Sequence, residues 1–238
     1  MIDCVSVSNM RESDAWTIAH LVPSLELMHR AAYGVYLAAQ WKGNISIIVG
    51  SGNNGGDGFA LACILKEQGI DCQVLTVGTH LSPDSQYYAE KAKGLGVSVE
   101  LFTAHLLQHC DMVVDCLLGT GFQGELKEPY RMAIEAINLS DAFTVSVDIN
   151  SGMNGDTGPN GPAVRSDLTV TIGAVKPGLI LPEAEAYVGR LVCADIGIVF
   201  QKTEGKICAP EEREVPLEAG VFRYLCPPWM DMELIRTY

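Results

Sequence analysis

The sequence is short of positive charge. Sixteen lysines and arginines stand against 29 aspartates and glutamates, a net charge of −13, which repels polyanions and leaves no basic stripe along any predicted helix. Nucleic acid is therefore not expected as a partner. Long apolar runs are missing too: stretches such as Ile47–Val49 and Met112–Val114 fall far below the roughly 18 residues that a membrane span needs, so no membrane association is expected. The opening residues, MIDCVSVSNMRESD, carry acids where a secretory leader has a basic end and an apolar stretch, and the expected compartment is the cytoplasm. Eight cysteines occur without a CxxC pair, and five histidines without an HExxH. A zinc site is not indicated, and the thiols read as reduced and mostly buried. No linker and no internal repeat divides the chain, so a single domain over residues 1–238 is expected.

What is present is an alternation of two periods. A first helix is expected from Asn9, set three residues before Glu12 as in a capping box, towards His20. A second follows Pro23 and Ser24, with Leu25, Met28, Ala32, Val35, Tyr36 and Ala39 on one face. The Lys42-Gly43-Asn44 turn then leads into ISIIVG, a β-branched run suited to a strand buried on both faces. Helices 57–68, 83–95 and 129–138 and strands 72–77, 97–102, 112–115, 143–148, 168–172 and 190–194 follow. Such alternation predicts right-handed crossovers and a doubly wound α/β sheet. The last residues, 199–238, with Pro210, Pro216, Pro227 and Pro228, read as an irregular arm.

Ligands of an open parallel sheet sit beyond the carboxyl ends of its strands. Four polar clusters fall there. Gly50 to Gly58, GSGNNGGDG, reads as a strand-to-helix loop whose amides cradle a phosphate-bearing small molecule, the extra Gly56 and Gly58 widening the concavity; the plain alternative is a glycine turn with Asp57 as helix cap. It formally satisfies GxGxxG, yet the next strand ends Val77-Gly78-Thr79-His80 without the acid that would hold a ribose, which argues against an ordinary NAD dehydrogenase. Asp115 precedes a Gly-Thr-Gly loop and needs a cation, a helix N-terminus or neighbouring amides as partner. Asp148 repeats that placement and is the stronger candidate for proton transfer, since a carboxylate at the edge of an apolar strand can have its pKa raised. Lys176 either binds phosphate, pairs with an acid or faces solvent.

Together GSGNNGGDGFALA, DCLLGTGFQG, VDINSGMNGDTG and SDLTVTIGAVKPGL resemble the four signatures of the YjeF N-terminal domain, the NAD(P)H-hydrate epimerases, over about residues 8–198. The resemblance implies a Rossmann-like three-layer α/β/α sandwich with a mostly parallel sheet. It also implies an isomerase that interconverts the R and S forms of hydrated NADH and NADPH, so that a separate dehydratase can restore the cofactor from the S form. Carried over by position, Asn53, Asn54, Gly55, Gly56 and Asp57 bind the hydrate, with Gly119, Thr120, Gly121, Phe122, Gln123, Gly124, Glu125 and Asp148. Potassium falls to Asn54, Asp115 and Ser151, and catalysis to Asp148 assisted by Lys176. Asn150 departs from the family pattern, which has proline there. A homodimer is expected. The competing reading is a non-catalytic scaffold of the same fold, which would have lost the acids that Asp57, Asp115 and Asp148 supply.

Overall fold

The computed structural model describes residues 1–78, 80–209 and 212–238; Thr79, Pro210 and Glu211 lie outside the described residues. The chain opens with β1 (Ile2–Cys4), α1 (Val7–His20) and α2 (Ser24–Ala38), and enters the sheet at β2 (Ile45–Val49). Then come α3 (Asn53–Glu67), β3 (Cys72–Thr76), α4 (Pro83–Gly94), β4 (Ser98–Leu101), β5 (Met112–Cys116), α5 (Tyr130–Asn138) and β6 (Phe143–Val147). A short hairpin of β7 (Met153–Asn154) and β8 (Gly158–Pro159) precedes β9 (Leu168–Ile172), α6 (Glu185–Val188) and β10 (Arg190–Asp195). The tail adds β11 (Gly205–Cys208), β12 (Phe222–Leu225) and β13 (Met232–Arg236).

Eight strands form the main sheet in the order β13-β10-β9-β6-β5-β2-β3-β4, and every pairing in it is parallel. Strand side chains alternate between two packed layers, as a sheet covered on both faces requires. Ile47, Val49, Val74 and Val114 face the core under α2, α3 and α4. Ile48, Leu75 and Val113 face α5 through Ala133, Ile134 and Ile137. The expected three-layer α/β/α sandwich is thus observed.

Three expectations are corrected. Helix α1 is capped by Ser6, whose hydroxyl accepts from the Asn9 amide. Asn9 lies in the first turn, buried, and its side-chain amide donates to the Lys202 carbonyl at 2.7 Å. Helix α3 starts at Asn53, four residues before the Asp57 start that the sequence suggests. Most of the expected Gly50 to Gly58 loop is therefore helix, because glycines at that turn serve packing as well as freedom. The tail is the third case. Far from irregular, it lays β13 along β10 as the sheet's edge and joins β11 and β12 to β1 in a second, three-stranded sheet. Ile207 and Met230 close a third apolar cluster with Leu191 and Cys193, and Pro216, Pro227 and Pro228 mark gaps between strands, while Pro210 lies outside the described residues.

Helix α3 can lie this close to the sheet only because glycines stand at its contact points. A Cβ on Gly58 would come within 2.7 Å of Val49 and 2.9 Å of Cys116, and one on Gly55 within 2.1 Å of the Gly50 carbonyl oxygen. Gly55→Ala is expected to lose about 1–3 kcal/mol as the turn is forced apart. Gly94→Ala, in a helix and with open space around the added carbon, is expected to gain about 0.5–1 kcal/mol. Urea unfolding of the two variants beside the parent chain checks both signs.

Candidate active site

The order of strands reverses at β2, which pairs with β3 on one side and β5 on the other. Such a switch point leaves a crevice where the loops diverge, and here it opens as a cavity of about 630 Å³. Its floor comes from Ser51 to Asn54, Asp57 and the loop Leu117 to Phe122, with Asp148 at one side. Its apolar wall comes from Ile18 of α1, Leu27, Met28 and Ala31 of α2, and Ile172 and Ile196.

Gly52 begins α3 without any side-chain cap, so the helix presents open amides and the positive end of its dipole to the cavity. The cradle is narrower than the sequence suggests. Gly55 and Gly56 donate their amides to the Gly52 carbonyl, Gly56 abuts Met28 and Ser85, and Gly58 packs on the sheet. None of these three lines the cavity. Asn54 does; it is 7% exposed, and among the described residues neither atom of its amide has a hydrogen-bond partner. An unpartnered buried amide costs on the order of 1–3 kcal/mol, so something with both donor and acceptor character, or a cation and an anion, belongs against it.

Behind the floor, Asp115 is wholly buried. Ser151 Oγ and N donate to it at 2.6 and 2.9 Å, Ser146 Oγ at 2.8 Å, and Leu117 N at 3.2 Å. Burial raises its pKa by more than these donors lower it. Asn150, where the resemblance leads one to expect proline, is also wholly buried. Its side chain donates to the carbonyls of Val164 and Tyr187 and to Ser166 Oγ, and accepts from Thr169 Oγ1. Hydrogen bonds thus supply the stiffness that a ring would.

Lys176 settles the choice left open by the sequence: it is wholly buried and paired with an acid. Its Nζ lies 2.5 Å from Asp148 Oδ1 and donates to Thr171 Oγ1 at 3.1 Å and to the Ile172 carbonyl at 2.8 Å. Asp148 has φ 68°, a left-handed backbone otherwise held, among the described residues, by glycines. Its second oxygen accepts from the Thr120 amide at 3.3 Å. Gly119 packs between the two functional side chains, for a Cβ there would stand 3.3 Å from both Asn54 and Asp148.

The structure gathers Asn53, Asn54, Asp57, Gly119, Thr120, Gly121, Phe122 and Asp148 on the cavity. Asp115, Ser151 and Lys176 stand behind its wall, whereas Gln123, Gly124 and Glu125 lie exposed beyond it. It also adds residues that the sequence reading passed over: Arg11, Asp14 and Tyr130 line the same space. The NMRESD string holds the first two, but nothing local says that α1 folds back over strand ends far along the chain. Burial raises the pKa of Asp57 well above its ordinary 3.8; Asp148 and then Asp14 add to the effect, and Lys176 opposes it. All eight thiols are free, and burial pushes Cys4 and Cys193 up to about 12.

Comparison with known proteins identifies a family. The family model described as YjeF-related protein N-terminus matches residues 24–178. An NAD(P)H-hydrate epimerase of Limosilactobacillus fermentum is 37% identical over 202 residues, covering 80% of this chain and 95% of that protein. A bifunctional NAD(P)H-hydrate repair enzyme Nnr of Archaeoglobus fulgidus is 37% identical over 187 residues, 77% of this chain and 39% of its own length. The crystal structure of the yeast protein ynu0, YNL200c, superposes with TM-score 0.67 at 24% identity over 74% of this chain and 82% of the yeast one, a likeness of fold. The chain belongs to the YjeF-related N-terminal family. Of the bifunctional relatives it spans only about two-fifths.

Two outcomes test the electrostatics. A carboxyl whose folded pKa is raised binds its proton more tightly in the native state, so it costs stability as pH rises above the unfolded value near 3.8 and costs nothing below it. Asp57→Asn should therefore stabilise the fold at pH 7 and leave it unchanged below about pH 3.5, as thermal melts at the two pH values will show. Lys176→Met removes the cation from Asp148 and should cost about 3–5 kcal/mol, most of it recovered in the Asp148→Asn/Lys176→Met double variant.

Proposed function

We infer that this chain interconverts the R and S epimers of hydrated NADH and NADPH, an isomerase step in nicotinamide cofactor repair. The observation that carries the reading is Asp148, paired with a buried lysine and open on the same cavity as the uncapped start of α3. The hydrate has a hydroxyl on the carbon next to the ring nitrogen. That carbon either loses the hydroxyl to an iminium or opens to an aldehyde, and it recloses from the other face; both routes need a proton moved at the hydroxyl oxygen. Asp148 serves there as acid and base, while Lys176 orients its carboxylate and stabilises its charge. The amides of the α3 start and the Gly119 to Phe122 loop hold the phosphates, and the apolar wall of Leu27, Met28 and Ile172 holds the ring and keeps bulk water from it.

The donor set also suits potassium. Asn54 Oδ1 is buried without a partner, and Asp115 and Ser151 bring a carboxylate and a hydroxyl oxygen, the hard donors that such a cation takes. Bound there, the ion would offset the charge of Asp115 beside the phosphates. Among the described residues no cluster of three His, Cys, Asp or Glu could hold a metal, and no helix is long and apolar enough to cross a membrane. We further propose that the S epimer passes to a dehydratase on a separate chain and that this one works as a single-domain homodimer, whose mass light scattering after size exclusion would report.

Purified R-NADPHX followed by chromatography is the direct test. The protein should bring it to the R/S mixture far faster than the spontaneous reaction, and more slowly when choline replaces potassium; a rate equal to the spontaneous one would overturn the assignment. Asp148→Asn should remain folded and lose about 10²- to 10⁴-fold in kcat, the range for a general acid–base group.

A further inference from the structure

Epimerisation at one carbon needs chemistry on two faces of a ring, and one carboxylate reaches one face. Besides Asp148, carboxyl groups on the cavity come from Asp14 of α1, Asp57 of α3 and Asp84 of α4. Asp84 sits in the first turn of α4, where the helix dipole explains it. Asp14 has no such reason. It lies two turns inside α1, past the cap at Ser6, on the stripe that also brings Met10, Arg11 and Ile18 to the cavity. It is half-buried, and among the described residues no hydrogen bond or ion pair holds it. A carboxyl kept for structure at that depth would have a partner. The cavity beside it awaits a polar ligand on independent grounds, since Asn54 turns an unpartnered, buried amide towards it.

Resting on the epimerase reading above, we propose that Asp14 is a second catalytic residue, exchanging protons on one face of the hydrated ring while Asp148 serves the other. In one direction Asp14 gives its proton to the hydroxyl oxygen. The C–O bond breaks with both electrons leaving on water, and the ring nitrogen's lone pair forms the C=N bond. Water then adds from the opposite face: its oxygen bonds the carbon, the C=N π electrons return to nitrogen, and Asp148 takes the water's proton. One proton has passed from Asp14 to Asp148, and exchange with solvent resets the pair. The reverse reaction runs the same steps with the roles exchanged.

The division of labour follows from the charges around each group. Asp148 is held by Lys176 at 2.5 Å, which fixes the position of its carboxylate on the cavity. The groups near Asp14 are Arg11 on its own helix, Asp57 on α3, Asp148 and Lys176. Burial first and then the charge of Asp148 raise its pKa, with Lys176 opposing, so it retains its proton to higher pH than a surface aspartate does.

The test compares the parent chain with Asp14→Asn and Asp14→Glu on R-NADPHX, with thermal melts to confirm folding. Asp14→Asn should lower kcat about 100-fold or more, move KM less than about threefold, and abolish the alkaline limb of the kcat profile that reports loss of the Asp14 proton. Asp14→Glu should restore at least about tenfold over Asp14→Asn. If Asp14→Asn melts early, Asp14→Ser at the same position carries the same expectation. A kcat within about threefold of the parent, or an unchanged alkaline limb, overturns the proposal while the epimerase reading stands. A parent chain that does not epimerise overturns both.

Discussion

The cavity depends on one buried carboxylate. Asp115 ends β5 inside the protein, and the donors it accepts come from three places: the loop following its own strand, the neighbouring strand β6, and the loop beyond β6. A single anion thereby fixes the two loops that carry Gly119 and Asp148 relative to each other. A neutral side chain would take the charged acceptor from Ser151 and Ser146, leaving the Leu118 carbonyl at 3.2 Å to one and the Ser166 hydroxyl at 2.6 Å to the other, and would leave the Ser151 amide without its partner. Ser151 adds a second tie by accepting from the Leu118 amide at 2.8 Å.

From that anchor the site is assembled by close approach. The first turn of α3 touches the backbone of the loops after β2 and β5 because glycines stand where they meet; a Cβ on Gly50 would lie 1.9 Å from the Leu117 carbonyl oxygen. Close approach sets the helix start, its open amides and Asn54 at the switch point of the sheet. Burial then does the electrostatic work. Desolvation raises Asp14 and Asp57, and Lys176, out of water altogether, is matched to Asp148. The cavity therefore holds desolvated carboxyl groups and an ion-paired one within one small space.

Much of this is legible in the sequence where the cause is local. Strand and helix periods give the order of elements and the strand ends where Asp115 and Asp148 fall, because a side chain's face depends only on its spacing. The Gly50 to Gly58 string marks the start of α3, and its spacing does not show that Gly55, Gly56 and Gly58 also admit close neighbours. What stays hidden is set by distant partners. Strands β11 to β13 are brief and carry few β-branched residues, and their register comes from β1 and β10. Asp14 becomes functional only when α1 lies across the strand ends, and the burial of Lys176 depends on an acid 28 residues away.

The left-handed backbone at Asp148 constrains how this protein can change. Only glycine, asparagine and aspartate occupy that conformation readily, so the replacements easiest for the chain to accommodate are the two that discard the carboxylate. A lineage under no demand for activity would drift through them once Lys176 had also been replaced, because either change alone leaves a wholly buried ammonium without its carboxylate. The same geometry that holds the acid in place makes a silent binding protein the nearest evolutionary neighbour of the active one.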